Sequence, residues 1–195
     1  MTKSALSEVR VESQHQIDPR TDEQLIVAIN HGDAAAFEVL YYRYRDWVTN
    51  LALRFTASED LALDVLQETF LYLLKKFPGF RLTAQLKTFL YPAIKNLSLT
   101  ARRKAGRYQS TETERELLEQ LPAADAPVQR LNELRAALGQ LSEEHREVLL
   151  LRFQDGLSLA EIAAATGVPL GTVKSRLHHA LEDLRQDKRA REFFE

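Results

Sequence analysis

The sequence predicts an all-α protein of two small helical domains joined by a flexible linker. Three observations carry that prediction. Apolar residues recur at three- and four-residue steps in nearly every segment. Capping residues stand directly ahead of those stripes. Alternation of period two, the mark of a half-buried strand, is absent, and so is any repeat of about 20 to 50 residues.

Residues 1–20 are polar and aperiodic and read as a disordered tail. A first domain is expected over 21–104. Thr21 and Gln24 fit a capping box ahead of Leu25, Ile26 and Ile29, and Gly32 closes that helix. Asp33 caps the next, whose stripe is Phe37, Leu40, Tyr44, Trp47, Val48, Leu51 and Phe55. Ser58 opens a third with the stripe Leu63, Leu66, Phe70, Leu73 and Leu74, stopped by Pro78 and Gly79. A fourth runs through "LKTFLYPAIKNLSLTARRK", where Pro92 removes one donor and predicts a kink or a tightened start.

Residues 105–130 carry Gly106, Pro122 and Pro127 with little periodicity beyond a short helix at 112–121, and read as the linker. The second domain is expected over 131–188, with 189–195 as a tail. "LNELRAALGQL" is one helix, Ser142 caps the next as far as Gly156, and Ser158 with Glu161 forms a capping box on "LAEIAAATG". The last helix runs from about Pro169 past Leu184, with Leu170, Val173, Leu177, Ala180, Leu181 and Leu184 on its inner side.

Bulk composition bounds the function. The chain has 195 residues, 45% hydrophobic and 28% charged, a formal net charge of −2 and no cysteine. Disulfides and thiolate metal sites are excluded. No apolar run approaches the roughly 20 residues of a membrane span, and the N-terminus lacks the apolar core of a secretion signal. A soluble cytoplasmic protein without membrane insertion is expected. The charge is unevenly placed. No acid occurs from Lys76 to Thr111, a stretch that carries Lys76, Arg81, Lys87, Lys95, Arg102, Arg103, Lys104 and Arg107. A block of one sign inside a nearly neutral chain fits a polyanion partner; alone it would equally be a solvated face.

"GVPLGTVKSRLHHAL" joins two short helices through a glycine turn, a helix-turn-helix pattern. Gly167 ends the first helix in a left-handed conformation, Val168 plugs the turn and Pro169 starts the second. The outward side of that second helix carries Gly171, Thr172, Ser175, His178 and His179, flanked by Lys174 and Arg176. Small donors and cations without acids suit a major groove; the plain alternative is an amphipathic surface helix. The paired histidines make a poor metal site, because adjacent helical residues diverge by about 100°.

At this point the residues resemble a known family. "LSEEHREVLLLRFQDGLSLAEIAAATGVPLGTVKSRLHHAL" is similar to region 4 of bacterial sigma factors of the extracytoplasmic-function (ECF) group. "AFEVLYYRYRDWV", "DVLQETFLYLLKKFPGF" and "TFLYPAIKNLSLTARRK" resemble region 2 of the same group, and together the matches span about 22–104 and 131–186. The resemblance implies a protein that binds core RNA polymerase and directs it to promoter DNA, with no catalysis of its own. It places Asp64, Gln67, Glu68 and Leu71 against the polymerase clamp. Phe80, Arg81, Lys87, Lys95, Asn96, Arg102 and Arg103 fall in the segment that recognises and melts the −10 element. Gly171, Thr172, Lys174, Ser175, Arg176, His178 and His179 fall on the helix that reads the −35 element. Phe80, Phe89 and Tyr91 are candidate stacking platforms, with Tyr91 better read as core. An anti-sigma factor is a further partner that many members of the family have and no residue here demands. The chain departs from the family pattern at Phe89, Pro92, Thr100 and His179.

Other functions have less support. A stand-alone helix-turn-helix regulator would use the second domain for DNA and the first for sensing, which the basic block does not suit. An enzyme would need a phosphate loop, a His-Glu metal motif or a nucleophile elbow, and none is present. No cofactor, metal ion or small-molecule substrate is expected. The acids Glu112, Glu114, Glu116 and Glu119 are candidates to fold back on the basic block.

Overall fold

The computed structural model describes residues 18–106 and 126–187, with side chains in the second segment from residue 133 onward. The 112–121 helix and the four linker glutamates lie outside these residues. Eight helices and no strand occur among the described residues: α1 Asp22–Asn30, α2 Ala34–Thr56, α3 Glu59–Leu74, α4 Leu86–Gly106, α5 Ala126–Gln140, α6 Glu143–Phe153, α7 Leu159–Thr166 and α8 Leu170–Gln186.

Local chemistry sets where most of them start. Thr21 with Gln24, and Ser158 with Glu161, form complete capping boxes on α1 and α7. Asp33, Ser58 and Ser142 each accept one of the otherwise unpaired amides at the head of α2, α3 and α6. α4 continues on both sides of Pro92. α5 starts at Ala126, before the predicted Leu131. Pro127 lies in its first turn, where a missing donor is harmless, so a residue that reads as linker opens a helix instead.

The first module packs α2, α3 and α4 on one another, with α1 along α2. Its core holds Leu25, Leu40, Val48, Leu51, Val65, Leu73, Leu90 and Ile94. In the second module α6, α7 and α8 pack together, and Ala137, Leu141, Leu149, Ala180 and Leu184 form a small core of their own. The modules touch: α7 lies on α4, and Val148, Leu151, Leu157, Ile162 and Val173 join the same apolar cluster as the first module.

Two predicted stripes need correction. Leu63 and Leu74 are 49% and 47% exposed, while Ala62, Val65 and Thr69 are buried in α3. Leu170 is 41% exposed at the head of α8, where Val173, Ala180 and Leu184 face inward. Periodicity finds an apolar arc but not how much of it a partner helix covers.

Truncating Leu40 or Ile94 to alanine, both fully buried, should lower urea-unfolding stability by about 2–5 kcal/mol. Leu71→Ala on the open face of α3 should stay within about 0.5 kcal/mol of the parent.

Candidate nucleic-acid interface

Three surfaces carry the predicted site residues. The first is the outer arc of α3. Asp64, Gln67, Glu68 and Leu71 are all exposed there, and the misassigned Leu63 and Leu74 join them. The structure therefore gathers four predicted residues and two leucines on one open, mixed apolar and acidic face.

The second is the segment between α3 and α4. Asn30, at the end of α1, holds its tip. The Asn30 side-chain oxygen accepts from Gly79 N (2.6 Å) and Phe80 N (3.1 Å), and its amide donates to Phe80 O (2.8 Å). Gly79 has φ +100°, a conformation that favours glycine, and Phe77–Pro78 is cis. Phe80 is half-buried between Phe77 (5.5 Å) and Phe89 (4.8 Å), so it packs in an aromatic cluster that Tyr72 extends. Arg81 stands exposed beside it. Asn30 escapes sequence reasoning because its partners lie some fifty residues away; the only signal is an asparagine at a helix end before a Gly-bearing turn.

On α4 the predicted residues divide. Asn96, Arg102 and Arg103 are exposed, with Arg102 also donating to Phe55 O (3.3 Å). Lys87 and Lys95 are half-buried and held by the second module. Lys87 Nζ donates to the carbonyl of Asp155 (2.8 Å), and Lys95 Nζ meets Glu147 Oε1 (2.5 Å). Tyr91 lies between them at four-residue spacing and is buried, as the core reading expects. Its hydroxyl donates to Glu147. Burial, then the Glu147 carboxylate, pushes the Tyr91 phenol well above its usual range, so it stays protonated.

Asp155 is the centre of this contact, with its side chain 2% exposed. One carboxylate oxygen accepts from Trp47 Nε1 (2.8 Å), and Arg54 reaches both oxygens (2.8 and 2.7 Å). Gly156, at φ +76°, turns the chain directly after it. Lys87 also lies 5.6 Å from the Trp47 ring, and Lys95 5.8 Å from that of Phe55. Beside the contact a cavity of about 360 Å³ is lined by Arg54, Phe55, Arg102, Arg146 and Glu147, among others. Trp47, Arg54, Glu147 and Asp155 are functional candidates that sequence reasoning missed, because their partners are 50 to 110 residues distant.

The third surface is the α7–α8 pair. Gly167 has φ +72° and caps α7, Val168 is half-buried against the core, and Pro169 precedes α8. Gly171, Lys174, Ser175, His178 and His179 are exposed on α8, with Thr172 and Arg176 half-buried at its edges. His178 and His179 lie 3.8 and 4.0 Å from Glu182, and the His179 ring stacks 6.0 Å from that of His145. No cluster of three or more His, Asp or Glu side chains placed to hold a metal ion occurs among the described residues. No described helix is long and apolar enough to cross a membrane.

Two helical modules, one ending in a helix-turn-helix pair and the other in a helix with a basic last turn, define a two-module helix-turn-helix protein. Comparison with known proteins makes this specific. Residues 40–108 match the model for sigma-70 region 2, and residues 131–184 that for sigma-70 region 4. The RNA polymerase sigma-H factor of Pseudomonas aeruginosa is 32% identical, over 83% of this chain and 90% of its own. The ECF RNA polymerase sigma-E factor of Escherichia coli is 32% identical over 83% and 91%. The solved structure of the sigma factor RpoE with the anti-sigma factor NepR from Bartonella quintana matches with a TM-score of 0.57 at 26% identity, covering 77% of this chain and 94% of that one. CnrH, in complex with the cytosolic domain of CnrY, shares the fold with a TM-score of 0.58 at 23% identity, over 83% and 93%. The chain belongs to the ECF sigma factors of the sigma-70 family, transcription initiation factors that direct RNA polymerase to promoters.

Asn30→Ala removes three hydrogen bonds to the 79–80 tip. It should cost about 1–3 kcal/mol in stability. Hydrogen exchange at the Gly79 and Phe80 amides should quicken more than in the α2 core.

Proposed function

We propose that the three surfaces divide the work of promoter-directed initiation. The start of α8 carries this reading: an acid-free stretch with Lys174 and Ser175 exposed, Arg176 half-buried beside them and a bare Gly171 one turn earlier. In a major groove those side chains would reach base edges and phosphates of the −35 element, with His178 and His179 further along the same helix. The α3–α4 segment and α4 take the −10 element. Phe80 and Arg81 stand at the tip, Asn96, Arg102 and Arg103 on the open face, and Lys87 and Lys95 on the face now turned to the second module. Extracting a base from a duplex costs a few kcal/mol, which stacking and cationic contacts must offset. The outer arc of α3, with Asp64, Gln67, Glu68 and Leu71, fits a basic partner surface on core RNA polymerase. The protein works in the cytoplasm and has no catalytic activity of its own. Because RpoE is seen with the anti-sigma factor NepR, such a partner is in keeping here too.

Run-off transcription with core polymerase tests the reading. Lys174→Ala with Arg176→Ala should reduce transcription from a −35-dependent promoter by tenfold or more, taking about 1–3 kcal/mol for each base-reading contact. Arg102→Glu with Arg103→Glu should abolish it while circular dichroism stays unchanged. A promoter footprint at full strength without core polymerase would instead favour a stand-alone regulator.

A further inference from the structure

Residues 75–85, between α3 and α4, form neither helix nor strand. The first of them pair back onto the end of α3, and the Gln85 carbonyl accepts from Phe89 in the first turn of α4. From 78 to 84 the backbone has one hydrogen-bonding partner among the described residues, the side chain of Asn30. Asn30 is the last residue of α1. It stands ahead of the stretch 40–108 that matches the model for sigma-70 region 2.

A carboxamide suits this task because one planar group offers an oxygen with two lone pairs and a nitrogen that donates. Asn30 gives both lone pairs to the amides of Gly79 and Phe80 and a donor to the Phe80 carbonyl. Phe80 thus has its N–H and its C=O held by the same side chain. Peptide units are planar, so these bonds fix the units on both sides of Phe80. They also fix the directions in which Phe80 and Arg81 leave the backbone. The Phe80 ring rests on Phe77 and Phe89, and Arg81 is left exposed. Asn30 is itself held in place. Ile29 beside it is buried. The amides of His31, Gly32 and Asp33 close the end of α1 on the carbonyls of Ala28 and Ile29 (3.0, 2.9 and 3.1 Å).

We propose that Asn30 is a positioning residue for capture of the −10 strand: in the unbound protein it holds the 78–81 tip in the conformation that receives the separated bases. The proposal rests on the assignment of that tip to the −10 element. A free segment loses backbone freedom when it closes on a ligand, and that loss weakens binding. Bonds already made to α1 take the loss out of the binding step. If the tip without Asn30 spends about one-tenth of its time in the receptive form, apparent affinity falls about tenfold.

The test uses the full chain assembled with core RNA polymerase. Anisotropy reads the binding of a labelled single strand that carries the −10 sequence of a promoter the complex transcribes. Asn30→Ala should weaken this binding about tenfold, while a duplex holding only the −35 element binds as it does to the parent. Gly79→Ala places a side chain at φ +100° and disturbs the same tip from the other side. It should weaken the strand by a similar factor. The double variant should then lose no more than the weaker-binding single variant, because both changes act on one element. A loss equal to the product of the two, about a hundredfold, overturns the proposal. Val48→Ala, in the buried core of α2, lowers stability away from the tip and should bind the strand as the parent does. An equal loss in that variant means that Asn30 acts only through stability, which overturns the proposal as well. If Arg81→Ala weakens the strand and Asn30→Ala does not, the tip meets the −10 strand without help from Asn30, and only the positioning role falls. If neither change weakens it, the tip does not meet that strand, and the assignment falls together with the proposal.

Discussion

The arrangement of the two modules depends on one buried carboxylate. Asp155 lies in a turn between α6 and α7 and receives hydrogen bonds from an indole and a guanidinium on α2, while its carbonyl takes an ammonium from α4. A carboxylate with almost no access to water is stable only where charge and hydrogen bonds replace its hydration. Arg54 and Trp47 provide both for the carboxylate, and Gly156 lets the backbone turn immediately after it. The neighbouring Glu147 repeats the device eight residues earlier with Tyr91 and Lys95. Apolar packing through Leu151, Leu157 and Ile162 accompanies these polar contacts, but apolar packing is non-directional. The polar contacts set which face of α4 meets which end of α6.

Much of the fold is legible in the sequence because helix starts are local. Thr21, Ser58 and Ser158 act on amides three residues away, so a short window contains the whole interaction. The turn at Gly167 is legible for the same reason. The inner and outer faces are less so. Leu63, Leu74 and Leu170 fit the periodicity yet face out, since a stripe does not reveal the width of its partner. Pro127 misleads in the other direction, because proline is both a linker residue and a good first-turn residue.

The candidate site divides along the same line. Its residues on α8 are marked by an acid-free pattern within one helix, and the resemblance to the family supplies the role proposed for them. The spacing of Lys87, Tyr91 and Lys95 is equally visible, but their partners come from the other module. Charge counting along the chain marks 76–111 as a one-sign block. Charge counting in space gives another answer, since Glu147 and Asp155 lie against it. The linker glutamates are candidate counter-charges by their proximity in sequence and lie outside the described residues; the described carboxylates on this face come from the helix-turn-helix module.

That shared residue limits how modular the molecule is. Regions 2 and 4 match separate family models, and a graft of one from a relative invites the assumption that each carries its properties along. Position 155 belongs to one unit by sequence and to the other by its bonds. A region 4 transplanted without carboxylates at the places of Glu147 and Asp155 would keep α8 intact yet leave Arg54, Trp47, Tyr91 and Lys95 of its new host without their partners. The hybrid would keep both of its parts but not the contact that fixes one against the other.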